Sequence, residues 1–168
     1  MQSPAIQDSV TERAVGVSDV IRVTPTFTVG GAGASGDYQG KSTAPEFFTR
    51  VARRDGFPAI IKSVVITDKT TTAAVAMELW LFESTFTAPT DNDAWAISDT
   101  DQLKCVGVLE LAANRWYANS SGKVFSDDRF CLPLKPTAQA LYFALVARGV
   151  TPAWVTGDLQ ISLGVLQD

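Results

Sequence analysis

The chain contains no histidine, and this removes most of the chemistry its other side chains could support. Serines, threonines and lysines supply nucleophiles, but a general base working near neutral pH is normally an imidazole. Neither a Ser-His-Asp nor a Cys-His arrangement can be assembled. Cys105 and Cys131 cannot make a zinc site without histidine partners. They are not a CxxC pair, and each opens an extended stretch, CVGVLEL and CLPL. Buried free thiols are therefore expected.

Carboxylates gather at Asp91, Asp93, Asp99 and Asp101, and again at Asp127 and Asp128. Clustered oxygens suit a hard cation, but the spacing of an EF-hand loop is missing. Solvated acidic loops are the plainer reading, and no metal is assigned. No pair stands out as two carboxylates facing each other across a glycosidic bond. GDYQGKS (36–42) approaches the phosphate-binding loop G-x-x-x-x-G-K-[ST]. Ser35 stands where that loop needs its first glycine, and Pro45 interrupts the segment that should open an anion-facing helix. A glycine-rich surface loop fits better. Asn119-Ser120-Ser121 matches a glycosylation acceptor, which has meaning only in a secreted chain. The balance moves away from catalysis towards binding or structure, with no catalytic residue and no cofactor expected.

At 168 residues, with 46% apolar and 19% charged side chains, the chain suits one domain with a sizeable core. No run reaches the ~18 apolar residues of a membrane helix, so no membrane partner is expected. The start, MQSPAIQDSVTERAVG, lacks the basic and apolar regions of a secretory signal. A net charge of −4 argues against nucleic acid as a partner. Arg50, Arg53 and Arg54 form the one basic cluster, read as a solvated face.

Residues 1–19 are polar and unpatterned, and read as an arm with little structure of its own. Residues 20–168 read as the folded domain. Ile21, Val23, Phe27 and Val29 share one parity, the mark of a strand with one apolar face, which Pro25 breaks or confines to an edge. PEFFTRVARRDG supports a capped helix or a strand equally. Residues 60–67 and 74–82 are two strands, with DKTTTA between them as a hairpin loop. Val75, Met77, Leu79 and Leu81 face one way; Glu78, Trp80 and Phe82 face the other. Ser98, three residues before Asp101, signals a capped helical turn. VGVLEL is a further strand, NRWYANSSGKVF a turn-rich loop or hairpin, and residues 141–147 and 159–165 alternate again. Val65, Leu79, Leu81, Leu145, Ile161 and Leu163 are expected in one core. So many short strands with Gly, Pro, Asp and Thr turns predict a β-sandwich or closed barrel. Trp95, Trp116, Tyr117 and Trp154 fall in or near loops, either capping the sandwich ends or forming a contact surface for protein or sugar.

IIKSVVITDKTTTAAVAMELWLFESTFTAPTDNDAWAISDTDQLKCVGVLEL, together with ALYFALVARGVTPAWVTGDLQISLGVLQ, resembles a group of tailed-bacteriophage virion proteins. The resemblance runs over residues 20–167. It implies an all-β, jelly-roll-like sandwich with an extended N-terminal arm, and it favours the strand reading of residues 46–52. It also implies a non-enzymatic capsid decoration (cement) protein on the outer surface of the major capsid protein shell, made in the host bacterial cytoplasm. Capsid symmetry adds an expected homo-oligomer, a trimer or dimer. The contact residues are then Ile6, Val10 and Val15 of the arm, Trp80 and Phe82 sealed by another subunit or the capsid floor, and Trp95, Trp116 and Trp154 in the loops. Two rival readings stand beside it. One is a carbohydrate-binding head-fibre or tail module with tryptophan platforms; the other is a carboxylate-dependent hydrolase with a deep acidic cleft.

Overall fold

Alternation of apolar and polar side chains builds 11 strands among the residues that the computed structural model describes, 17–25, 32–41, 44–70 and 73–167. The assignments made to Ile6, Val10, Val15, Phe27 and Val29 lie outside them. The strands are β1 (Val17–Val23), β2 (Tyr38–Gln39), β3 (Glu46–Phe48), β4 (Ala59–Asp68), β5 (Met77–Phe82) and β6 (Cys105–Leu111). They continue as β7 (Trp116–Asn119), β8 (Gly122–Asp127), β9 (Leu132–Leu134), β10 (Leu141–Ala147) and β11 (Leu159–Gln167). One short helix, α1 (Asp99–Gln102), begins as expected: Ser98 Oγ accepts the Asp101 backbone N–H at 3.1 Å. β1 starts at Val17, inside the stretch assigned to the arm, and pairs with β11 from its first residue.

All strand pairs are antiparallel. The first sheet runs β1-β11-β4-β8-β7, and β9 shares with β8 the same edge of β4. The second runs β2-β10-β5-β6, and β3 shares with β2 the same edge of β10. Each sharing pair is one interrupted strand. With β7 set aside as an added edge strand beside β8, the first sheet reads first, last, third and sixth strand, and the second reads second, seventh, fourth and fifth. That order is the double Greek key of a jelly roll, so the all-β, jelly-roll-like sandwich holds.

Leu79, Leu81, Leu145, Ile161 and Leu163 are fully buried between the sheets, as expected. Val65 is not: it lies half-buried on the outer face, while Val64 and Ile66 point inward. The cause is a bulge. Ser63 opposes Gly164 and Ile61 opposes Val165, which leaves Lys62 as an extra residue. One inserted residue reverses the parity of everything after it.

DKTTTA is not a hairpin loop, because β4 and β5 belong to different sheets. The connection turns a corner of the sandwich, a topology that local alternation cannot distinguish from a hairpin. Residues 46–52 are strand only at Glu46–Phe48; Arg50 has a φ of 61° and ends the extended run. The surface loop expected at GDYQGKS is corrected at Tyr38 and Gln39, which form a buried strand on β10, while Lys41 is exposed. Neither cysteine is paired. Cys105 is half-buried and its Sγ–H donates to the Gly107 carbonyl at 3.6 Å, whereas Cys131 is exposed between β8 and β9, against the expectation of burial.

Candidate contact surfaces

The outer face of the second sheet carries the aromatic segment of β5. Phe82 packs on Phe86 with ring centroids 4.3 Å apart. Trp95 lies 5.6 Å from Trp80 and 5.9 Å from Tyr38. These rings, with Ala88 and Ala144, form a second apolar cluster outside the main core. Phe86, Ala88 and Trp95 come from the β5–β6 connection, which folds back over its own sheet. Backbone bonds lace it down: Tyr38 N–H to the Asp93 carbonyl, Asn92 N–H to the Tyr38 carbonyl and Trp95 N–H to the Gly36 carbonyl, at 2.7–2.8 Å. Asp91 accepts the Gly40 N–H at 3.0 Å. Asp101 accepts the Thr87 N–H at 3.2 Å and pairs with Lys104 at 2.6 Å. Two of the acidic residues considered for a cation thus anchor this connection. Among the described residues no three His, Cys, Asp or Glu gather to hold a metal.

The expected sealing by another subunit or a capsid floor is corrected for Phe82, which the chain's own 83–98 segment covers; Trp80 is covered only in part. Phe82 is fully buried, and Trp80 and Trp95 are half-buried. At the rim, Glu78 accepts Trp80 Nε1–H at 2.8 Å and both Nε and Nη2 of Arg148 at 2.7–2.8 Å. The Arg148 hydrogen bonds hold the Glu78 carboxyl below its ordinary range, against the opposing effect of burial. Burial pushes the Tyr38 phenol well above its ordinary value, and the nearby Glu46 and Asp91 carboxylates add to that shift.

Trp116 and Trp154 are also buried and offer no surface. Both belong to the main core cluster. They flank a polar cluster that the sequence did not reveal. Asp68 ends β4, Lys123 stands directly opposite on β8, and their side chains pair at 2.7 Å while 0% and 4% exposed. Trp154 Nε1–H donates to Asp68 Oδ2 at 3.2 Å, the Thr70 N–H donates to Oδ1 at 2.7 Å, and Lys123 Nζ lies 5.9 Å from the Trp116 ring centre. Asp68 continues the inward parity of Val64 and Ile66, a signal legible only once the bulge is placed. Asp127, on the same strand as Lys123, takes Arg115 at 3.1 Å and the Arg129 N–H at 2.9 Å.

The outer face of the first sheet is different. Val20 is 50% exposed and Tyr117 71% exposed, and Ile60, Val65, Val124 and Leu166 are partly exposed beside Ser and Thr. The only charged outward side chains on its strands are Arg22 and Lys62, in a chain of net charge −4. A groove of about 340 Å³ crosses it at Gly164, lined by Ser18, Asp19, Val20, Lys62, Ser63 and Leu166. Arg50, Arg53 and Arg54 are exposed, as a solvated cluster should be, and Arg54 stacks 5.7 Å from the Phe57 ring centre.

No family model matches the chain, and no curated protein matches it. Among solved structures it is similar to the infectious bursal disease virus VP2 subviral particle, at 12% identity and a TM-score of 0.37 over 90% of this chain. The alignment takes in 32% of the VP2 chain, so this chain spans about a third of that length. A marine algae virus of the order Picornavirales aligns over 90% of this chain and 69% of its own, at 10% identity and a TM-score of 0.22.

Proposed function

We propose that this chain is a non-enzymatic virion structural protein, a capsid decoration protein that cements the shell of a tailed bacteriophage from outside. The observation that supports this most is the contrast between the two outer faces. One is covered in part by the chain's own 83–98 segment, with Phe47 and Val108 left exposed. The other is left open and largely apolar, with Asp19 the one carboxylate that lines its groove. Burying one exposed valine-sized side chain there contributes about 1.5–3 kcal/mol, and Arg22 and Lys62 favour an acidic partner surface. The jelly roll is an architecture that viral shells use, and the sequence resemblance to phage virion proteins points the same way. In this reading the first sheet's face meets the major capsid protein. Ile6, Val10 and Val15 make a second contact, and copies associate as trimers or dimers around a symmetry axis.

The test is co-sedimentation with empty capsids of the phage from which the chain comes. A Val20→Glu, Tyr117→Ser variant should keep its melting temperature and lose capsid binding. Undiminished binding by that variant would move the contact elsewhere, and failure of the unaltered chain to bind would end the reading. Trp80 and Trp95, half-buried and 5.6 Å apart, support a second reading as a carbohydrate-binding head-fibre or tail module. Glycan-array binding that disappears in Trp95→Ala would favour it.

A further inference from the structure

We propose that Lys123 and Asp68 condense to an intramolecular amide that staples β4 to β8. The two residues are direct cross-strand partners at the end of the pairing. Their strands approach closely because Gly122 precedes Lys123: a Cβ on Gly122 would sit 2.3 Å from the Asp68 carbonyl oxygen. Both side chains are withdrawn from water, and Nζ lies 2.7 Å from Oδ2.

The enclosure takes both groups out of water. Two ions give up their hydration there, and their attraction offsets the loss only in part. Attack requires Nζ to give up one proton, and the Asp68 carboxylate oxygen 2.7 Å away stands where it can take it. Once deprotonated, the amine stands beside the carboxyl group as a positioned nucleophile, and fixed geometry replaces a bimolecular encounter. The carbonyl is polarised as well. The Thr70 N–H on Oδ1 is a fixed donor where negative charge gathers in a tetrahedral intermediate, and Trp154 Nε1–H holds the departing Oδ2. Thr70 Oγ1, 3.3 Å from Nζ, can pass a proton between the reacting groups.

The step balances without any further reactant. The Nζ–Cγ bond forms and the Cγ–Oδ2 bond breaks. Two of the three ammonium protons leave with Oδ2 as one water, and the third stays on the amide nitrogen. Oδ1 remains as the amide carbonyl and keeps the Thr70 N–H. No oxidant, reductant or change of net charge is involved. The product replaces two buried ions with one neutral group, and its covalent loop restricts the unfolded chain as a disulfide does.

The test is the intact mass of the purified, folded, full-length chain measured under denaturing conditions. The expected mass is below the sequence mass by one water. Fragmentation of a digest should place the loss on a branched peptide joining the segments around residues 68 and 123. Lys123→Arg should show the full sequence mass whether or not it folds, and should melt at a lower temperature than the unaltered chain if it does. An unmodified mass for the unaltered chain overturns the proposal. So does a water loss that persists in Lys123→Arg or maps to Asp68 alone, as an internal cyclic imide would.

Discussion

Glu78 shows how much one surface group can contribute. Its folded-state carboxyl is held down chiefly by the Arg148 hydrogen bonds, with Trp80 adding a third donor. A depressed carboxylate stabilises the fold above its unfolded value, near the usual 4.5, and that contribution is lost as pH falls through the folded value. Melting followed from neutral pH down through that window should show a decline that is shallower in Glu78→Gln. The difference should be small, because solvent screens a group so exposed. Interior apolar residues weigh more. Leu145→Ala and Ile161→Ala should each lower stability by about 2–5 kcal/mol in denaturant titrations, since both are fully buried. Val65→Ala should lower it by less than either, because the bulge at Lys62 turns Val65 outward.

Among the elements, the 83–98 connection does most to set which surfaces are available. It spends its aromatic residues on the outer face of its own sheet, so β10 is buried on both sides: Ala144 and Val146 are as enclosed as Leu145. Phe82→Ala should lower stability by about 3–5 kcal/mol, the range for a buried aromatic. It should also loosen this segment first, seen as faster proteolytic cleavage between residues 83 and 98 under native conditions. The β7–β8 hairpin tests a different constraint. Gly122→Ala puts a methyl against the Asp68 backbone, which cannot yield as a side-chain tip can. A loss of melting temperature well beyond that of Gly36→Ala, which shares the strain of a positive φ but where a Cβ meets nothing within 4 Å, is the expected result.

For the molecule as a unit, the first strand lies beside the last, so the jelly roll closes only when both ends of the described chain pair. Val17, Ser18 and Asp19 oppose Gln167, Leu166 and Val165. A chain beginning at Val17 should therefore melt at a higher temperature than one beginning at Val20, which loses those three pairs at the edge of the sheet. If capsid binding falls in the same step as stability, the first sheet is implicated in the contact. If it falls already in the chain beginning at Val17, Ile6, Val10 and Val15 carry it.

Strand content was legible in residue order, because alternation of β-branched and apolar residues is a local property with a period of two. The Ser98 cap was equally legible, since its donor lies three residues away. The two-sheet sandwich followed from the need of alternating strands to bury one face. Local order could not decide where β4 leads, because a corner between sheets and a hairpin use the same polar turn residues. Nor could it decide which tryptophans were surface. Trp80 and Trp95 are half-covered, and Trp116 and Trp154 enclosed, by segments distant in the chain. Asp68 and Lys123 read as ordinary turn charges until the bulge at Lys62 and the pairing of β4 with β8 brought them together inside. Burial on the outer side of a sheet depends on what folds across it, and only the assembled tertiary structure specifies that.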